Sequence, residues 1–451
     1  MSAWPTVRLS EVIRHRKGSI TIDDTANYKL CRVQLHRRGV VLREHRAGAE
    51  IRTKKQQVCQ AGDFLVAEMD AKVGGYGFVP TDLDGAIVSS HYFLFELDEN
   101  RLWPGYLEVV SQAEILQRQI VAKGSTNYAA IRPASVLGWE VPLPPLVVQK
   151  RMAANFTRAR AAVATAEREI AHQEDLVAKL KQAILQEAIT GRLTAGWRAT
   201  HPDVEPASQL LARIQAEKKR LIAAKKLRPE KPLPPIAEDE MPFDIPEGWA
   251  WCRFGDIQIG ADAGSSPKCE ERPIIGNEWG ILKVSATSGA CFDQDENKFF
   301  ASSVDLETCS IVQEGDFLLS RANTKELVGN SVVVEKLTKN LLLSDKTVRF
   351  RVSNHANKLF ANLVNKAPFV REHFISEATG TSPSMKNISR ETILTHLFPL
   401  PPLAEQTKIV ARVEALMERC RDLEAEIARS RAHAEALLQA VLREAFAPAA
   451  A

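Results

Sequence analysis

Three clusters in this 451-residue sequence carry side chains able to do chemistry. Asp63 followed by Asp70-Ala71-Lys72 imitates an Asp…Asp-x-Lys centre, in which paired carboxylates hold a divalent ion. The sequence repeats the pattern as Asp316 and Asn323-Thr324-Lys325, which keeps the lysine and loses the second carboxylate. A metal site needs that carboxylate, so a lysine beside nucleic-acid phosphate is the better reading, and no metal is expected. Gly74-Gly75-Tyr76-Gly77 is glycine-rich but opens no helix, which makes it a turn and not a phosphate cradle. No Asn-Pro-Pro-Tyr-like tetrad for methylating adenine, no Gly-x-Gly-x-x-Gly after a strand and no Gly-x-x-x-x-Gly-Lys-Ser/Thr occurs. These absences point to a reader and not a catalyst.

The third cluster is basic. Between Arg32 and Lys55 stand Arg37, Arg38, Arg43, Arg46, Arg52 and Lys54, opposed only by Glu44 and Glu50 and extended by His36, His45, Gln56 and Gln57. Arginine and lysine neutralise phosphates and pair with guanine, and glutamine and asparagine pair with adenine. Lys72, Tyr76, Asn127 and Tyr128, near glycine turns, complete the first set of candidate contacts. A second set is Arg321, Asn323 and Lys325 with Ser382, Lys386 and Asn387, from the loop Gly380 to Asn387. That loop sits where Gly124 to Asn127 sits in the first half. A solvated basic face is the competing reading for each residue alone.

The elements that must position these residues occur twice. Pro142 to Ala188 aligns without a gap onto Pro399 to Ala445, and seventeen of the 47 positions are identical. Each copy opens Pro-Leu-Pro-Pro-Leu-x-x-Gln, whose prolines force extended backbone before a helix begins. Apolar residues then follow in steps of four and three. In the first copy these are Met152, Phe156, Ala159, Val163, Ala166, Ile170, Val177, Leu180 and Ile184, with Gln173 between them. In the second they are Ile409, Val413, Leu416, Cys420, Leu423, Ile427, Ala434, Leu437 and Val441, with Ser430. This heptad seam predicts two helices of about 40 residues and roughly 60 Å that pair antiparallel within the chain. Upstream, Gly62-Asp-Phe-Leu-Val matches Gly315-Asp-Phe-Leu-Leu, and Trp4 to Val12 matches Trp249 to Ile257. The chain is therefore an α+β protein of two sheet-dominated modules, residues 1–146 and 245–403, each followed by a helix, 147–190 and 404–447. Residues 191–244 form a linker with a short basic helix, whose charge suits either solvent or a DNA or protein partner.

Composition sets the outer limits. Net charge is only +3, so any electrostatic footprint must be local. Seven cysteines without a Cys-x-x-Cys argue for reduced thiols in a cytoplasm and against zinc. No apolar run long enough to span a bilayer and no signal peptide are found, so no membrane partner is expected.

Taken together, the duplicated Pro-Leu-Pro-Pro-Leu-x-x-Gln starts, the closing Leu-x-Gln-Ala-Ile/Val-Leu-x-Glu-Ala, Trp197-Arg198 after Gly191 and Pro242 to Trp249 resemble the specificity subunits of type I restriction–modification enzymes. The resemblance implies two target-recognition domains, each reading half of a split double-stranded DNA sequence, joined by the two paired helices. It implies two methyltransferase subunits and restriction/translocase subunits as partners, with S-adenosylmethionine, ATP and Mg belonging to those partners and no cofactor to this chain. A coiled-coil adaptor with protein- or glycan-binding heads remains the alternative, and a basic surface shared by both heads favours DNA over it.

Overall fold

The computed structural model describes residues 4–120, 130–300, 310–382 and 385–447. The chain divides into two compact units, Met1–Glu174 with Glu426–Ala451, and Asp175–Ala425. Each unit contains one module and a part of each long helix.

The shared scaffold of the modules is a four-stranded antiparallel sheet built from the matched segments. In module one its order is Ile13–Arg16, Tyr92–Leu97, Phe64–Ala67 and Tyr76–Phe78. In module two the same order is Gln258–Ala263, Thr347–Val352, Phe317–Ser320 and Ser331–Val333. Phe64–Ala67 and Phe317–Ser320 are buried along their whole length, which is why both read as continuous apolar runs. A two-stranded ribbon closes each module, Thr6–Arg8 with Glu140–Pro142 and Ala250–Arg253 with Leu397–Leu400. Beyond this frame the modules diverge. Module one adds a mixed five-stranded sheet whose edge is the long hairpin Asn27–Gln34 and Gly39–Ala47. Module two adds a three-stranded sheet around Trp279–Leu282.

The long helices span Leu146–Ile189 and Leu403–Phe446. The glutamine of each repeated motif fastens a helix start to its module. Gln149 accepts the Trp103 N–H at 2.8 Å and donates to the carbonyls of Pro144 and Arg101. Gln406 accepts the Asn357 N–H at 2.7 Å and donates to the Pro401 carbonyl. Trp103 and Asn357 are the N-caps of the module helices Pro104–Gln112 and Lys358–Asn365, so one amide orients two helices in each case. The second helix carries a further buried anchor. Glu405 takes hydrogen bonds from Thr194, Arg198 and the Trp249 indole, tying its first turn to the linker and to the start of module two. The first helix ends at a left-handed Gly191, φ 73°, where a Cβ would come within 2.5 Å of Pro246.

Within each unit the helices run antiparallel. Glu174 pairs with Arg431 at 3.0 Å in the first unit, and Lys181 with Glu424 at 2.6 Å in the second. Phe156, Val163, Ile170, Val177, Ile184, Val413, Cys420 and Ile427 are buried, as the seam requires. Two expectations are corrected. Val441 is only half-buried, because Leu438 and Leu442 turn instead toward Phe156 and Val109 of module one. A straight helix drifts off a seven-residue repeat, and the last turn follows the module core. The alternate row of seam positions is also open toward the middle of the helices, with Leu180 44 % and Leu423 42 % exposed, whereas Met152, Ala159 and Ile409 of the same row are buried.

Ile170→Asp places an unpaired charge in a buried site and should destabilise the first unit by roughly 3–5 kcal/mol, whereas Leu423→Ala should cost about 1 kcal/mol. Calorimetric unfolding of the two variants measures the contrast. The buried His396 stacks on Phe254 at 5.1 Å, and burial pushes its pKa down to about 3 from an ordinary 6.5. The unfolded chain takes up this proton first, so stability is complete above pH 6.5 and is lost as pH falls toward 3. In His396→Phe the loss between pH 7 and pH 4.5 should be shallower, as read from urea midpoints.

Candidate nucleic-acid interface

In module one the basic cluster is laid out by the edge hairpin. Its turn, Leu35 to Arg38, holds His36 and Arg37 at positive φ, 59° and 62°, and bonds back to the Val73 and Gly74 carbonyls at 2.8 and 3.0 Å. The hairpin tip is therefore docked beside the Asp70–Lys72 segment and does not wave in solvent. Arg38, Lys55 and Lys72 stand exposed with no ion pair to a described residue, which leaves their charge available to a polyanion.

Of the other candidates, Arg37, Arg43, Arg46, Lys54 and Gln57 are partly or wholly committed inside the module. Arg37 donates to Gln117 at 2.6 Å and Glu114 at 3.2 Å. Arg43 and Arg46 share Glu44, and Lys54 pairs with Asp24 while donating to the Gly48 carbonyl. Gln57 spends its amide on the Ser89 and Tyr92 carbonyls. Tyr76 is corrected outright. It is 1 % exposed and packs against Phe64 and Trp139, and burial pushes its pKa up to about 12. Glycines flank it because a strand passes close: a Cβ on Gly77 would lie 2.8 Å from Gly39. Asn127 and Tyr128 lie outside the described residues.

In module two three separated segments converge. Arg321 donates its N–H to the Lys346 carbonyl at 2.9 Å and accepts from the Ile388 N–H at 3.0 Å. Ala322 and Asn323 pair with Asn387 and Lys386 as a short ribbon. Arg321 and Lys325 are exposed and carry no ion pair to a described residue, while Lys386 donates to the Gly380 carbonyl at 2.5 Å. Ser382 is also on the surface. Asn323 is corrected to a structural role: buried, it donates to Ser288 at 2.9 Å and caps the Thr324 N–H. Lys346, in the turn before strand Thr347–Val352, joins this patch. Sequence reasoning missed it because only the fold brings that turn beside Arg321.

The aspartates of the nuclease-like pattern have other work. Asp63 caps the Gln60 N–H and pairs with Arg16, and Asp316 caps the Gln313 N–H and pairs with Arg349 at 3.0 Å. Both are the same internal ion-paired turn. The linker helix, Ala207–Ala223, buries Ala207, Leu210 and Ile214 and uses Lys218 to hold the Gly255 carbonyl at 2.7 Å, leaving Lys219 and Arg220 outward.

No family model matches the chain. It is similar to the specificity subunit of the type I restriction enzyme EcoEI of Escherichia coli, at 36% identity over 250 residues, 55% of this chain and 41% of the relative. The chain thus spans about two fifths of the length of that curated relative. Two solved structures share its fold. One is the HsdS subunit from Thermoanaerobacter tengcongensis, with TM-score 0.58 and 20% identity over 98% of this chain and 96% of that one. The other comes from work on complex assembly and conformational transition of a type I R-M system, with TM-score 0.66 and 18% identity over 98% and 97%. The relatives carry the family name that the duplicated motif resembles, and the fold is the HsdS fold.

Removing the exposed charges singly, Arg38→Ala or Lys72→Ala, should weaken duplex DNA binding on every sequence and lower the salt slope by about 0.9 each. Arg37→Ala should instead lower the melting temperature, since it strips partners from Gln117 and Glu114. Salt titrations by anisotropy, beside thermal melts, separate the two behaviours.

Proposed function

We propose that this chain is a non-catalytic specificity subunit of a type I restriction–modification enzyme, reading an asymmetric, two-part DNA sequence. One observation carries the reading: the same four-stranded scaffold is built twice and dressed differently outside, and each module presents exposed arginine and lysine, Arg38 and Lys72 in the first and Arg321 and Lys325 in the second. Shared cationic character with unlike contact residues suits two half-sites of one duplex. It does not suit a pair of protein- or glycan-binding heads. The similarity to named specificity subunits supports the same reading. The sequence has no motif for methyl transfer or for ATP, so the chemistry falls to two methyltransferase subunits and to restriction/translocase subunits. Those partners would bring S-adenosylmethionine, ATP and Mg. The half-open apolar residues on the long helices, Leu176, Leu180 and Leu423, are suited to docking the methyltransferase subunits.

The purified chain should neither methylate nor cut DNA and should co-purify with methyltransferase subunits as two to one. Replacing residues 1–146 by another specificity subunit's first module should change one half of the methylated sequence. A change in both halves, read by methylation-sensitive sequencing, would defeat the assignment of one module to one half-site.

A further inference from the structure

The two modules meet the same backbone junction with opposite charge. Glu68 follows strand Phe64–Ala67, five residues after Asp63, and Arg321 follows strand Phe317–Ser320, five residues after Asp316. The Glu68 N–H donates to the His91 carbonyl at 2.8 Å and its carbonyl accepts from Ile131 at 3.0 Å. Arg321 makes the same two bonds, to Lys346 and from Ile388, at 2.9 and 3.0 Å. Both bonds have the same sense and reach matching segments, so the two positions are equivalent in the fold. Four residues further on, both modules carry an exposed lysine, Lys72 and Lys325.

The side chains at the junction differ in kind. The Glu68 carboxylate is nearly enclosed and saturated, with Arg132 at 3.1 Å on one oxygen and His91 at 2.7 Å on the other. Arg321 is exposed, has no ion pair to a described residue, and lines an open cleft of about 290 Å³ with Ser389, Arg390 and Ile393. The carboxylate of that cleft, Asp262, is already taken by Arg349 and Arg351 at 2.9 and 2.6 Å. Arg390 is held by Glu230 at 2.5 Å. Arg321 is thus the cation of the cleft whose guanidinium is left for a ligand.

A phosphate contact serves every sequence alike, so two heads on one scaffold can keep it, as they keep the lysine at 72 and 325. A base contact must differ between heads that read different bases. Resting on the reading of module two as a DNA-binding head, we propose that Arg321 is a specificity-determining residue that pairs with the edge of a guanine in the half-site of module two. The planar fork of an unpaired guanidinium matches the two acceptors that guanine shows in the major groove. At the same place module one offers Glu68 with its bound Arg132 and His91. The two heads therefore present different groups to DNA at this junction.

The test uses the complex of the full chain with its methyltransferase subunits, carrying either Arg321→Gln or Lys325→Gln, and maps the methylated sequence of each. Arg321→Gln should leave the half-site of module one intact and loosen one position of the other, with discrimination at that position falling roughly five- to hundred-fold. Lys325→Gln should leave the sequence unchanged and lower only the salt slope of binding, by about 0.9. An unchanged methylated sequence in active Arg321→Gln overturns the proposal. If that variant methylates nothing, anisotropy on the recognised and a scrambled duplex decides. Loss confined to the recognised duplex supports base reading, and equal loss on both identifies a phosphate contact and overturns it. A wild-type complex that binds no duplex would sink the DNA reading itself, and is told apart from the other failures because the unaltered protein shows it.

Discussion

A buried side-chain amide, used twice, fixes how each long helix leaves its module. Gln149 and Gln406 are fully enclosed, and all their hydrogen bonds go to main-chain groups. An enclosed amide that loses its partners costs on the order of 1–3 kcal/mol, so the geometry is held by the penalty for breaking it. The prolines beside it prevent the helix from starting earlier, and the N-cap of a module helix receives the other end of the amide. The direction of the helix is thereby set by the module core and not by a flexible joint. Everything that the helices carry depends on this coupling, including the seam and the half-open leucines suited to partners.

The second constraint is the shared four-stranded sheet. One central strand in each copy, Phe64–Ala67 and Phe317–Ser320, is buried along its whole length, and the turns before them are pinned by the ion-paired aspartates Asp63 and Asp316. Such a frame tolerates little change inside and allows free change outside. Module one uses that freedom to grow a hairpin with a docked, left-handed tip, and module two to grow a small sheet and a ribbon at Ala322–Asn323. The same core therefore delivers two unlike cationic surfaces.

Much of this was legible in the chain. The duplication, the two helices with their proline starts, the buried a-type positions of the seam and the α+β modules all follow from local rules, because period, turn chemistry and helix-breaking residues act over a few neighbours. The linker helix showed its apolar face in the same way.

Which polar groups stay free was not legible. Arg37, Gln57, Asn323 and Tyr76 have the composition of contact residues, yet three-dimensional neighbours claim or bury each of them. Arg38, Lys55, Lys72, Arg321 and Lys325 look no different in sequence and are left without ionic partners among the described residues. The register at the end of the second helix likewise turned on a distant surface, where Leu442 found Phe156 and Val109 in place of the position the heptad assigned. Periodicity and chain stiffness are properties of neighbouring residues, so the sequence alone determined the repeated scaffold. Pairing and burial depend on residues far apart in the chain, so only the tertiary structure decided which charges face outward and that Glu68 and Arg321 occupy one position.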